Sequence, residues 1–127
     1  MKIYTTYFAN LKKLPKTIIP VSICGKCPTG FKGIQYKKLA PKYDFFMKWK
    51  GNHDNDYYIE HFNSEVLEHL NQENVVDELS RIAGINNITK VDIALVCYEK
   101  PDDFCHRHLV AEWLKEKGYD VKEYRED

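Results

Sequence analysis

The feature that most constrains this chain is a short apolar run, Ile93 to Cys97, inside the stretch from Val91 to Lys117. A run this brief and this uninterrupted reads as a strand buried on both faces. A polar turn follows at Glu99, Lys100, Pro101, Asp102 and Asp103. Leu109, Val110, Trp113 and Leu114 then recur at helical spacing. Asp102 or Asp103 is expected to cap that helix, because a short carboxylate accepts from first-turn N–H groups. Gly118 is expected to end it. Strand, polar turn and helix together aim backbone N–H groups and a positive dipole end at a ligand. The sequence puts Cys105, His106, Arg107 and His108 into that first turn.

The rest of the chain reads as scaffold for this corner. Lys2 to Phe8 is rich in β-branched and aromatic residues and reads as a first strand. Asn10 to Lys16 is short and basic, with Leu11 and Leu14 as anchors of one helical turn. Thr17 to Cys24 reads as a second strand, in which Pro20 points to an edge position or a late start. A parallel crossover usually needs about a dozen residues or more. The segment between these strands is shorter. Either its helix is minimal or the two strands are not sheet neighbours.

Gly25 to Tyr43 is irregular, with lysines interleaved with Phe31 and Tyr36. Loops this long are often functional. This one reads either as a lid bringing charge and stacking surface to an anion, or as a solvated loop pinned by its aromatics. Asp44 to Lys50 forms a short helix and Gly51 to Asp56 a turn. Tyr58 to Leu70 is helical, with Ile59, Phe62, Val66, Leu67 and Leu70 on one face. Asn74 is expected to cap a further helix ending before Gly84, and Tyr119 to Tyr124 to form a last strand. Strands alternating with helices give the expected fold class. It is a single α/β domain over residues 1–127, with a mainly parallel, Rossmann-like sheet flanked by helices.

Composition removes several functions. Lys plus Arg and Asp plus Glu are 19 each, so no global field recruits nucleic acid or a membrane surface. Hydrophobic residues make up 43% of the chain, but no window approaches the roughly 18 apolar residues of a bilayer span. Met1 to Tyr7 lacks the apolar core of a signal peptide. A cytoplasmic protein with its four cysteines reduced is expected. The sequence sets no oligomeric state.

The segment from Leu95 to Ala111 resembles the signature of the Domain of Unknown Function 488 family. That signature is a strand ending in Cys-x-Glu-Lys, a few residues, then Cys-His-Arg and a helix. Cys97, Glu99, Lys100, Cys105, His106 and Arg107 fall in that order here. The segment from Val21 to Pro41 is similar to a compact subgroup found in Gram-positive bacteria and their phages. The resemblance implies a small cytoplasmic α/β domain with no established activity. Longer members carry a full helix after the first strand and Asp-Val-Arg at the end of the second. This chain ends that strand with Val21, Ser22, Ile23 and Cys24, and Lys26 or Lys32 is positioned to replace the missing charge.

In a parallel α/β fold, ligands sit at the carboxyl ends of the strands. That rule gathers Tyr7, Ser22, Lys26 and the segment from Glu99 to Arg107. Glu99 reads as a general acid/base or nucleophile, or as a partner of Lys100 or Arg107. Cys105 reads as a nucleophilic or redox-sensitive thiol, or as a small packing residue. His106 and Arg107 read as anion ligands, with a salt bridge from Arg107 to Glu99, Asp102 or Asp103 as the structural alternative. Cys24 and Cys27 form a C-x-x-C pair that could hold zinc with help from Cys105, His106 or His108, although neighbours on a helix diverge. His53, His61 and His69 read as solvent-facing.

The leading expectation is binding of a small anionic, nucleotide- or nucleoside-like ligand. Hydrolase or glycosyl-transfer chemistry would accompany it. A non-catalytic interaction protein, such as a phage accessory or counter-defence factor, is the first alternative. A metal- or redox-dependent thiol protein is the second.

Overall fold

In the computed structural model, which describes residues 2–84 and 92–125, all strands are parallel and form one sheet. Met1 and Val91 lie outside the described residues. The strands are β1 (Ile3–Tyr7), β2 (Ile18–Ser22), β3 (Ile34–Gln35), β4 (Asp92–Cys97) and β5 (Val121–Glu123), in the spatial order β3-β2-β4-β1-β5. The helices are α1 (Tyr43–Asn52), α2 (Asn55–Glu65), α3 (Gln72–Ala83) and α4 (His106–Lys115). The fold class is the one expected from the sequence.

β4 is central, and its residues from Ile93 to Cys97 are all buried. It pairs with β1 from Ile3↔Ile93 to Tyr7↔Cys97 and with β2 from Ile18↔Asp92 to Ser22↔Val96. That double pairing explains the unbroken apolar run. β1 and β2 are not neighbours, because β4 lies between them. Their short connection, a 3-10 helix over Phe8–Lys13, therefore never has to form a standard crossover between adjacent strands.

Pro20 is tolerated for a related reason. The Ile23 N–H donates to Val96 of β4, while the Ser22 carbonyl accepts from Tyr36 on the opposite side. By alternation the Pro20 nitrogen faces the β3 side, and β3 pairs only with Val21 and Ser22. The missing donor falls just outside the ladder.

Several boundaries differ from the sequence reading. β3 and a 3-10 turn over Lys37–Leu39 lie inside the segment read as loop, which had too few apolar residues to signal a strand. α1 and α2 are separated only by His53, in the left-handed conformation at φ 53°, and Asp54, whose Oδ1 accepts from Tyr57 N. The cap of α3 is Asn71, accepting from Asn74 N at 3.1 Å, so Asn74 is the capped residue and not the cap. Gly118 does end its helix, with φ 86° and its N–H on the Lys115 carbonyl.

The main core packs α2, α3 and α4 on the sheet through Phe62, Val75, Leu79, Val110 and Leu114, with Phe45 of α1 joining them. No helix among the described residues is long and apolar enough to cross a membrane.

Candidate functional site

The chain leaves β2 toward β3 and leaves β4 toward β5, on the opposite side of the sheet. Two adjacent strands whose connections diverge open a crevice beyond their carboxyl ends. A pocket of about 760 Å³ lies there. Cys24, Gly25 and Lys26 line it from the β2 end, and Cys97, Tyr98 and Glu99 from the β4 end. Cys105 and His106 line it from the start of α4. Phe46, Trp49 and Tyr58 of α1 and α2 make its wall with Phe104 of the turn. A smaller cavity of about 410 Å³, near Lys42, Asp44 and His69, has no cysteine in its lining.

The aromatic wall is a packed unit. Trp49 meets Tyr58 at 5.4 Å and Phe104 at 5.6 Å between ring centroids, and Tyr58 meets Phe104 at 5.0 Å edge to face. Trp49 Nε1 donates to Asn55 Oδ1, which fixes the indole. The apolar face expected over Tyr58 to Leu70 takes in Ile59 and Phe62 but not Tyr58, and nothing in the sequence marks Trp49, Tyr58 and Phe104 as facing a cavity.

The floor holds sulfur and imidazole. Cys97 ends β4 and Cys105 precedes α4, and their Sγ atoms are bonded to each other. The expectation that all cysteines are reduced therefore holds only for Cys24 and Cys27. The turn between residues 97 and 105 folds back and carries its two ends together. Cys105 is the N-cap, extended at φ −155° and ψ 143°, and no side chain caps the helix. The capping role expected for Asp102 or Asp103 is thus unfilled.

That extended backbone also corrects the view that residues 105 and 106 diverge. His106 Nδ1 lies 3.9 Å from Cys105 Sγ. Its Nε2 donates to the Ile23 carbonyl at 2.7 Å, because a carbonyl only accepts. The Nδ1 lone pair is left facing the sulfurs. Burial pulls the His106 pKa down to about 4; the Ile23 hydrogen bond opposes that fall and the Arg107 charge adds to it.

Arg107 faces away from the pocket and is fully buried. Its Nε and Nη2 grip both Glu123 oxygens at 3.1 and 2.8 Å. Its Nη1 donates to the Glu99 carbonyl at 2.6 Å and to Cys97 Sγ at 3.1 Å. Its guanidinium lies over the Tyr7 ring. The partner is a residue of β5, not Glu99, Asp102 or Asp103 through their carboxylates. Among the expected ligand residues, Lys26, Cys105 and His106 line the pocket together with Glu99, which is exposed. Tyr7, Ser22 and Arg107 do not line it.

Ser22 serves the adjacent loop. Its Oγ accepts from Cys24 N at 3.3 Å and lies 3.2 Å from Cys27 Sγ. Cys24 Sγ instead donates to the Val96 carbonyl, and burial pushes its pKa up to about 12. The C-x-x-C pair thus sends its sulfurs to different partners. Among the described residues, the cluster with metal-binding proximity is Cys97, Cys105 and His106, whose ligand atoms all lie within 4.8 Å of one another. Cys97 belongs to the sequence motif and is not among the expected site residues; its place at the end of the apolar run is the sequence signal that points to it. His108 Nε2 is buried without a hydrogen-bond partner among the described residues.

Neither a search of curated proteins nor one of solved structures returns a match. A family model described as "Active DUF488-N3 subclade" matches residues 9–118, which takes in the sheet centre, the pocket and all of α4. The chain therefore belongs to the DUF488 family.

Proposed function

We propose that the pocket between the β2 and β4 ends binds a small anionic ligand carrying a flat ring, of nucleotide or nucleoside type. The observation that carries this reading is the pairing of an aromatic wall with cations and a carboxylate in one cavity. Trp49, Tyr58 and Phe104 offer π-surface, Lys26 and Lys50 supply positive charge, and Glu99 stands among them. Stacking of one base on such a wall is worth about 1–3 kcal/mol. The volume also lies within the roughly 300–1,000 Å³ of small-molecule sites.

Glu99 is the acid/base or nucleophile of this reading. A carboxylate beside a bound nucleoside can deprotonate water for attack on the sugar carbon, or attack that carbon itself. Hydrolysis or glycosyl transfer follows from which acceptor arrives. Cys105 and His106 form the floor on which the ligand rests. Arg107 acts as a positioning residue, since its donors hold the Glu99 carbonyl and the β5 carboxylate. Lys26 and Lys50 take over the anion-binding role expected of it.

The test is thermal unfolding of the full chain across a panel of nucleotides and sugar phosphates, followed by product analysis. The expected result is a rise in Tm with at least one compound, reduced in Lys26→Ala and Lys50→Ala. Glu99→Gln should keep that rise and lose turnover. No response across the panel would overturn the reading. A strong response without turnover would assign the pocket to sequestration, which the exposed Tyr43, Met47 and Tyr98 at its edge would suit.

A further inference from the structure

We propose that Cys97, Cys105 and His106, in the dithiol state, form a binding site for a thiophilic divalent cation of the Zn(II) type. Two elements that meet only in the folded chain supply the ligands: the end of β4 and the start of α4. The three ligand atoms lie within 4.8 Å of one another. A tetrahedral ion with Zn–S near 2.3 Å and Zn–N near 2.0 Å separates its ligand atoms by about 3.6–3.8 Å. The 3.9 Å between Cys105 Sγ and His106 Nδ1 is close to that edge already.

The surroundings are those of a supported ligand set. A metal-binding histidine usually donates its second ring N–H to a carbonyl or carboxylate, which fixes the tautomer and aims the lone pair. His106 does this through Nε2 to Ile23. Arg107 Nη1 donates to Cys97 Sγ at 3.1 Å and holds that sulfur in place. Glu123 balances the Arg107 charge, so a cation arriving at the sulfurs does not meet a bare guanidinium. Thiolate and imidazole together select zinc-like ions over magnesium or calcium. Cys97, Cys105 and His106 all line the pocket, so a fourth ligand can arrive from it.

Metal binding and the Cys97–Cys105 bond exclude each other. A dithiol reductant must first give two electrons and two protons to that bond, leaving two Cys thiols, and depart as its own disulfide. Each sulfur then gives up one proton to solvent and coordinates. The Cα atoms of the pair are 7.4 Å apart, beyond the usual disulfide range of roughly 4.4–6.8 Å. The backbone therefore already leaves the freed sulfurs space to part around an ion. The site stands independently of the nucleotide reading, because an ion can bind with no nucleotide present.

The experiment titrates Co(II), then Zn(II), into the reduced full chain without oxygen or nucleotide. One Co(II) per chain with a thiolate-to-metal absorption band, lost on adding Zn(II), is expected. Oxidised protein should show no band. Cys97→Ser, Cys105→Ser and His106→Ala should each weaken binding at least 10-fold, and Cys27→Ser should leave it unchanged. If the first three variants unfold, alkylation mapping of the wild-type chain decides instead. Zn(II) should then protect Cys97 and Cys105 while Cys27 still reacts. Absence of stoichiometric binding at micromolar metal, or protection confined to Cys24 and Cys27, would overturn the proposal.

Discussion

His106 and Arg107 are chain neighbours in the first turn of α4, yet they belong to two different corners of the sheet. On the β1–β5 side, Arg107 meets Glu123, Tyr7 and the Glu99 carbonyl, and Thr5 Oγ1 adds a 2.6 Å bond to the same carboxylate. That corner is closed, and its charges are paired. On the β2–β4 side, His106 and Cys105 line an open pocket beside an exposed carboxylate and aromatic rings. A charged residue in a family signature does not declare its task. The direction in which its element presents it decides whether it holds the fold or meets a ligand.

The sharpest way to break this contrast is Arg107→Ala. It leaves the Glu123 carboxylate, 13% exposed, without its partner. Removing one member of a buried pair costs about 3–5 kcal/mol, to be read from denaturant unfolding. A variant that kept its stability and lost only its ligand response would place Arg107 in the open corner after all. Glu99→Gln probes the other side. Its exposed side chain predicts a stability change within about 0.5 kcal/mol, while turnover on any substrate found should fall roughly 10²–10⁴-fold.

Smaller effects refine the picture. Tyr98 donates to the Lys26 carbonyl at 2.6 Å and ties the two strand-end loops together. Tyr98→Phe should cost about 1 kcal/mol and loosen ligand binding more than it lowers Tm, as calorimetry would show. Tyr36 anchors the lysine loop to α3 through a 2.6 Å bond to Glu78, which also pairs with Lys38. The Tyr36 hydrogen bond, and then Lys38, hold the Glu78 carboxyl below its usual pKa. A depressed carboxylate contributes stability above its unfolded pKa of about 4.3, and that contribution fades as pH falls through the lower folded value. Acid titration of Tyr36→Phe should therefore show a slightly shallower loss of stability than wild type. An unchanged slope would mean the loop is held elsewhere.

Much of this architecture was legible because it rests on local patterns. The Ile93–Cys97 run announced a central strand, and Gly118 announced the end of its helix. The strand-end rule gathers Lys26, Glu99, Cys105 and His106, which line the pocket, together with Tyr7, Ser22 and Arg107, which do not. What could not be read depends on partners distant in sequence. Glu123 meets Arg107 only because β5 pairs with β1 beside it. β3 is a strand by virtue of Tyr36 bonding to Ser22, not by its own composition. The aromatic wall draws Trp49, Tyr58 and Phe104 from two helices and a turn, and no sequence pattern distinguishes a ring facing a cavity from one facing the interior. Cys105 carried no sign that its backbone would be extended and so deliver its sulfur to Cys97 and its neighbour's Nδ1.

The leapfrog in the sheet has a consequence for how the chain is made. β1 and β2 emerge early from synthesis, but only β4 joins them into one sheet. Until residues near Ile93 are available, the first two strands have open edges facing a gap, and α1 to α3 have no finished surface to cover. Contacts this distant in sequence are slow to close. The segment carrying Cys97 is thus also the keystone of assembly, so a nascent chain halted before it should hold no more than the short β2–β3 ladder. The proposed sites and the sheet are completed by the same strand.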